Sequence, residues 1–286
     1  MQAIEDVLNS ELENVNDFFK SNKLKLNAKK TKMVCFRKKN KIVDLDTPEI
    51  MLDGTKLKFE EEASFLGINL DCHLTWEGHC NKVANKISKN SSVINRVKKM
   101  LPPQSLKMLY NSLILTHIQY GLALWGGRNN QNRKRINIIQ KRIIRTISKS
   151  HIKSHTEPKM KSLGILKIDD LYKQKCATLI HDALHENCPK TIMNFINLTA
   201  EKDGHALRNK EKDPMCLQVP NLKTKQGKGS FQVNGPVTWN NLPNNLKEIV
   251  KRELFKKHVK AYLIDQYNDS VSCTNLLCHD RGHHNQ

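Results

Sequence analysis

Acidic residues are missing from a long stretch of this chain. Residues 78–156 contain no Asp or Glu, where the chain's average would place about eight, and the same 79 residues carry sixteen Lys or Arg. Long apolar runs are missing too. The best one, residues 113–125, is broken by Thr116, His117, Gln119 and Gly121 and is too short to cross a bilayer, so no membrane span is expected. The first residues lack bases and instead hold Glu5, Asp6, Glu11, Glu13 and Asp17, which excludes the basic start of a secretory signal or transit peptide. The protein is therefore expected in the cytoplasm or nucleus and is not expected to be secreted. Eight cysteines lie scattered at 35, 72, 80, 176, 188, 216, 273 and 278, a pattern of free thiols and not of a disulfide framework. No phosphate loop, hydrolase triad, dinucleotide fingerprint or internal repeat occurs. Zinc spacing is poor as well. Cys273, Cys278, His279, His283 and His284 lack a two-residue cysteine gap and read as a flexible tail, and Cys72, His73, His79 and Cys80 read as a chance grouping, so no metal is assigned.

What is present is length, helical periodicity and positive charge. The 286 residues and 32.9 kDa suffice for one large domain or two smaller ones, and 38% hydrophobic content with a mean hydropathy of −0.59 suits a soluble chain. The net charge of +20 is uneven: residues 1–19 have acids and no base, residues 20–41 have ten bases and no acid, and the 78–156 window carries +16. Such a window is expected on a surface held against a polyanion.

Ile4, Val7, Leu8, Leu12, Val15, Phe18 and Phe19 recur at helical spacing, which predicts an amphipathic helix over residues 2–20 with the apolar side inward. Residues 33–36 read as a short buried strand, residues 48–59 as a hairpin turning at Asp53-Gly54, and residues 64–70 as a further strand in which Gly67 marks a close approach. From Thr75, a possible cap, the period becomes helical. Cys80, Val83, Ile87, Ile94, Val97 and Leu101 form an inner seam beside an outer stripe of Lys82, Lys86, Lys89 and Arg96. Pro102-Pro103 starts a second helix with Leu106, Leu109, Leu113 and Ile118 inward, ending at Gly126-Gly127. A third helix turns Ile136, Ile139, Ile143 and Ile147 inward and Arg135, Arg142, Arg145 and Lys149 outward. Asp169-Asp170 opens a helix up to about residue 185, residues 200–230 read as a polar loop that includes Lys210 and Lys212, and helical order returns over 237–262. Trp76, Tyr120 and Trp125 read as core aromatics.

Several fragments carry a resemblance. Asn22-Lys23-Leu24-Lys25-Leu26-Asn27 with Lys30-Thr31, then Phe65-Leu66-Gly67-Ile68 with Asp71, Leu74, Trp76 and His79, resemble the end of the palm and the primer-grip turn of reverse transcriptases of non-LTR retrotransposons, the jockey and LINE type. Leu109-Tyr110, Tyr120-Gly121, Trp125-Gly126, Gln140-Lys141-Arg142 with Arg145, and Trp239-Asn240-Asn241-Leu242-Pro243 before Phe255 are similar to that group in the same order. The resemblance implies an α+β, mainly α fold: a partial palm of helix, short strands and hairpin, followed by a helical thumb and further helices. The implied organisation is palm end 1–72, thumb 73–150, helical region 151–198, polar loop or linker 199–234, and a C-terminal helix and tail 235–286. It also implies RNA and DNA, as a template and primer duplex, for the partner. Lys30, Lys82, Lys86, Lys89, Arg96, Arg135, Arg142, Arg145 and Lys149 are expected on its phosphates, and Phe65, Leu66 and Gly67 at the primer-grip-like turn. Polymerisation needs paired carboxylates holding divalent metals. The resemblance implies that this aspartate pair lies upstream of residue 1, so no catalytic residue is assigned and magnesium is expected only in an intact polymerase. The alternatives are a piece of a complete retrotransposon polymerase split by gene calling, or a decayed copy.

Overall fold

The computed structural model describes residues 2–41, 43, 49–127, 133–198 and 214–267. Pro48, residues 200–213 of the 200–230 loop with Lys210 and Lys212, and the cluster Cys273, Cys278, His279, His283 and His284 lie outside the described residues. The chain forms two compact units, Met1–Val83 and Ala84–Gln286.

The first unit is built around a helix and two hairpins. Helix α1, Gln2–Ser21, meets strands β1, Met51–Leu52, and β2, Thr55–Lys56, which pair antiparallel. Asp53 and Gly54 both have positive φ (48° and 72°), the geometry that a two-residue Asp-Gly turn adopts readily. Ile50, Leu52 and Leu57 form the core here, with Leu12, Leu26, Ala28 and Met33 packed against it. The strip of α1 that meets the hairpin differs from the expected apolar side. Asn9 donates to Glu49 O (2.9 Å) and accepts from Met51 N (2.8 Å), while Asn16 and Lys20 both reach Asp53. Residues 9, 12, 16 and 20 thus share a helical stripe that is mostly polar: Asn9 satisfies the backbone of the unpaired strand edge, and Asn16 and Lys20 hold the Asp53 carboxylate of the turn. Val7, Val15 and Phe18 are left exposed.

The expected strand over 33–36 reduces to one parallel bridge, Met33 with Phe59, and the expected single strand over 64–70 is a second hairpin. Its strands are β3, Glu62–Phe65, and β4, Ile68–Asp71, with Leu66-Gly67 between them at φ 47° and 80°. Gly67 therefore serves a turn and not a close approach inside a strand. The Asp71 carboxylate accepts from the amides of His73, Thr75 and Trp76 and shapes the turn before the next helix, while Thr75 Oγ1 accepts from Glu77 N (3.4 Å) at the helix start, as expected of it.

That helix is α2, Glu77–Val97, which continues from the first unit into the second. In the second unit the expected long second helix is subdivided: α3, Pro103–Tyr110, a π-helical turn, Asn111–Leu115, α4, Thr116–Gln119, and α5, Leu122–Trp125. Leu106, Tyr110, Ile114, Ile118 and Leu122 are buried at an interval of four throughout. Each four-residue step overshoots a 3.6-residue turn, and one wider turn takes up the excess, keeping the row on one side. The inward residues are accordingly Tyr110 and Ile114 instead of Leu109 and Leu113. The Leu113 carbonyl accepts from Asn90 Nδ2 (2.7 Å). Helix α6, Arg133–Ile147, buries Ile136, Ile139, Ile143, Ile144 and Ile147 as its period demands.

Helix α7, Glu157–Leu163, ends at Gly164 with φ 62°. Helix α8, Ile168–Leu184, is buried on nearly all sides and packs on α5, α6, α9 (Lys190–Met193), α11 (Phe231–Asn240) and α13 (Arg252–Asp265). Helix α10, Lys225–Lys228, and α12, Asn244–Lys247, are short connectors. The expected loop or linker over 199–234 is tied down where it is described. Asn240 exchanges two hydrogen bonds with Leu217 backbone, Trp239 Nε1 donates to Met215 O, and α11 begins at Phe231. The fold is mainly helical α+β. Among the described residues no helix is long and apolar enough to cross a membrane, and six cysteines are free thiols.

Candidate nucleic-acid interface

Periodicity places the bases of α2 and α6 on the sides opposite their buried isoleucines. Lys86, Lys89 and Arg96 are exposed on α2, and Arg135, Arg142 and Lys149 are exposed on or just after α6. One hydrogen bond and one longer polar approach align the helices: Arg135 Nη2 donates to Asn85 Oδ1 (2.7 Å), and Thr146 Oγ1, which also lies 3.2 Å from Arg142 O, is 3.4 Å from Asn95 Oδ1. Both partners advance in sequence together, so the helices run side by side in the same direction over about 15 Å at 1.5 Å rise per residue. That length faces roughly nine phosphate charges of a duplex. Asn85 and Asn95 were not singled out from the sequence. Two amides inside a basic stripe were the only signal of them.

The expected set divides. Arg145 is half-buried, and its Nε donates to Ser154 O (3.0 Å), holding the loop after α6. Lys149 has φ 50°, at the turn that ends the helix. Lys30 and Lys82 belong to the first unit: Lys30 is exposed in the turn capped by Asn27, and Lys82 Nζ donates to Asn69 Oδ1 (3.1 Å). Phe65 and Leu66 are exposed at 65% and 74%, so the 65–67 turn projects two apolar side chains from a hairpin tip. Not every base of the window faces out. Arg133 pairs with Asp169 (2.7 Å) and lies 6.0 Å from the Tyr172 ring centre. Of the aromatics, Trp125 is fully buried, Trp76 is half-buried with φ 64°, and Tyr120 is 53% exposed, which corrects its expected core position.

The local field is positive. His117 titrates below its ordinary value, first through burial and then through Lys86. The Asp169-Asp170 pair is a structural helix start. Asp169 is held by Arg133, and buried Asp170 accepts from Tyr267 Oη (2.8 Å) and Lys173 (2.9 Å). With both carboxylates committed to cations or a phenol, the pair does not fit a two-metal polymerase centre.

A partial metal-like cluster exists in the first unit, with different members from the grouping seen in the sequence. Glu61, Cys72 and His73 bring one ligand atom each within 4.8 Å of one another. Arg37 holds Glu61 at 2.8 Å, and His73 Nδ1 is 2.9 Å from Arg37 O. Burial and the hydrogen bond to Glu61 push the Cys72 thiol up.

Over 129 residues, 44% of this chain and 14% of the relative, the sequence is 29% identical to a Drosophila melanogaster protein described as "Probable RNA-directed DNA polymerase from transposon BS". Over 127 residues, 43% of this chain and 13% of the relative, it is 24% identical to the "Probable RNA-directed DNA polymerase from transposon X-element" of the same organism. The matched part thus spans about a seventh of these curated relatives. No family model matches the chain, and no solved structure matches it. The two likenesses support a relationship to retrotransposon reverse transcriptases.

Proposed function

We propose that this chain is the palm end and thumb of a non-LTR retrotransposon reverse transcriptase, of the jockey or LINE type, and that it grips a template and primer duplex of RNA and DNA without reading its sequence. In this reading residues 1–72 end the palm, residues 73–150 are the thumb, and Phe65-Leu66-Gly67 is the primer-grip turn. The chain acts in the cytoplasm or nucleus, supplies no catalytic aspartate, and leaves magnesium to the intact polymerase. The observation that carries the reading is the pair of aligned helices α2 and α6, whose exposed bases stand in a window without one acid. Lysine and arginine on rigid helices contact phosphates and carry no sequence information. The exposed Val7, Val15 and Phe18 of α1 favour a piece of a longer polymerase over a complete small protein, since a palm would cover them.

The test is fluorescence anisotropy with two RNA–DNA hybrids of unrelated sequence, together with primer extension by the purified chain. The two hybrids should bind within about threefold of each other, and no primer should lengthen with magnesium or manganese. A preference above a hundredfold for one sequence would refute the grip. Extension that survives Asp169→Asn and Asp170→Asn would refute the absence of catalysis.

A further inference from the structure

A second concentration of positive charge lies in the second unit, on helices that the α2/α6 stripe does not use. A cavity of about 290 Å³ opens between the 111–119 segment, α8 and α13, lined among others by Asn111, Gln119, Gln174, Lys256, Lys257 and Lys260. Glu253 is the one acid in its lining, and it is already engaged by Arg252 (3.1 Å) and Lys256 (3.9 Å). Lys107, from α3, reaches over the rim at Gly164, where its Nζ lies 3.8 Å from the position a Cβ would take. Lys175 follows buried Gln174 on α8, and Gln174 Nε2 donates to Lys256 O (3.0 Å), fixing α13 against the cavity. Lys107, Lys175, Lys256 and Lys260 are all half-buried.

Like charges held together and partly removed from water are unfavourable unless an anion joins them. Lys260 is pushed down first by burial and then by Lys107 and Lys256, and Lys175 first by burial and then by Lys256 and Arg252. The volume lies at the small end of ligand sites, room for one or two phosphate groups and not for a duplex. Lysine serves phosphate as a compact point charge, and the amides of Asn111 and Gln119 add neutral donors.

We propose that this cleft is a phosphate-binding seat, separate from the α2/α6 stripe, with Lys256 and Lys260 as its main cations and Lys107 and Lys175 at its edge. The shared chemistry is a phosphate anion, which either a free polyphosphate or the backbone of a nucleic-acid strand can present.

Isothermal titration of the full chain with sodium pyrophosphate at low salt tests it. Wild type should bind saturably, Lys256→Gln with Lys260→Gln should bind at least tenfold more weakly, and Lys86→Gln with Arg142→Gln should bind like wild type. Because the cleft pair is half-buried, Lys257→Glu at an exposed position is the second variant, and it should weaken binding at least threefold. Pyrophosphate should also raise the Tm of wild type and not that of the cleft variant. Competition by a short single-stranded DNA assigns the seat to a nucleic-acid backbone, and its absence assigns it to free polyphosphate. Absence of saturable binding, equal binding by wild type and the cleft variant, or equal losses in the stripe variant would overturn the proposal.

Discussion

Gln140 shows how one side chain can serve the fold inside a window that otherwise reads as binding surface. It is fully buried, donates to Tyr110 Oη (2.8 Å) and Leu166 O (2.9 Å), and accepts from Ile168 N (3.2 Å), so it ties α6 to α3 and to the start of α8. Gln140→Leu fills similar space but leaves three polar groups unsatisfied, and should cost about 3 kcal/mol in a urea titration at unchanged m. A loss under 1 kcal/mol would show that water replaces the amide. Histidines set the response to acid. His79, His117 and His181 all titrate below their ordinary value, with burial the first cause for each. His181 donates from Nε2 to Ile249 O (2.7 Å) and stacks between His185 and Phe255, with Arg252 and Asp182 also acting on it. A depressed histidine pKa means that the unfolded chain binds more protons, so stability rises with pH in that range. The contribution is complete above about pH 6.5 and is lost as pH falls through that value towards the lower folded pKa values. The Tm should therefore drop between pH 7 and pH 5, less so in His181→Gln; a Tm that stays constant or rises on acidification would contradict this.

The two hairpins make a natural comparison at the scale of elements. Both turn through two residues of positive φ, but one uses Asp53-Gly54 and the other Leu66-Gly67. A leucine in the left-handed region costs roughly 1–2 kcal/mol, and a Leu66→Asn change should recover about 1 kcal/mol of it. If the tip also touches nucleic acid, the same change should weaken duplex binding, so a variant that melts higher and binds more weakly is the expected result. Unchanged binding would remove the 65–67 turn from the interface. Legibility in the sequence followed the strength of the local signal. The seams of α2 and α6 and the Asp53-Gly54 turn were readable because a strict period or a turn dipeptide leaves few alternatives. The second hairpin was not, since Leu-Gly is a poor turn signature and residues 64–70 alternate like one strand. The π-helical turn escaped because its cause, the four-residue burial row from Leu106 to Leu122, shows only once the partners of that row are known. The lysine cleft draws on positions from 107 to 260, which no local pattern connects.

At the scale of the whole molecule, charge is the dominant property: +20 in total and +16 within residues 78–156. Net charge alone would attract nucleic acid anywhere on the surface, whereas the aligned helices concentrate the attraction on one track. These alternatives separate in a single measurement, the salt dependence of binding to an RNA–DNA hybrid by wild type, by Lys86→Ala with Arg142→Ala, and by Lys225→Ala with Lys228→Ala on α10. If four to six phosphates are engaged, log K against log salt should slope at roughly −4 to −5 for wild type. The α2/α6 double variant should flatten that slope by up to about two, while the α10 double variant, with the same loss of net charge, should change it by less than about half a unit. Equal flattening by both pairs would contradict a duplex track on α2 and α6.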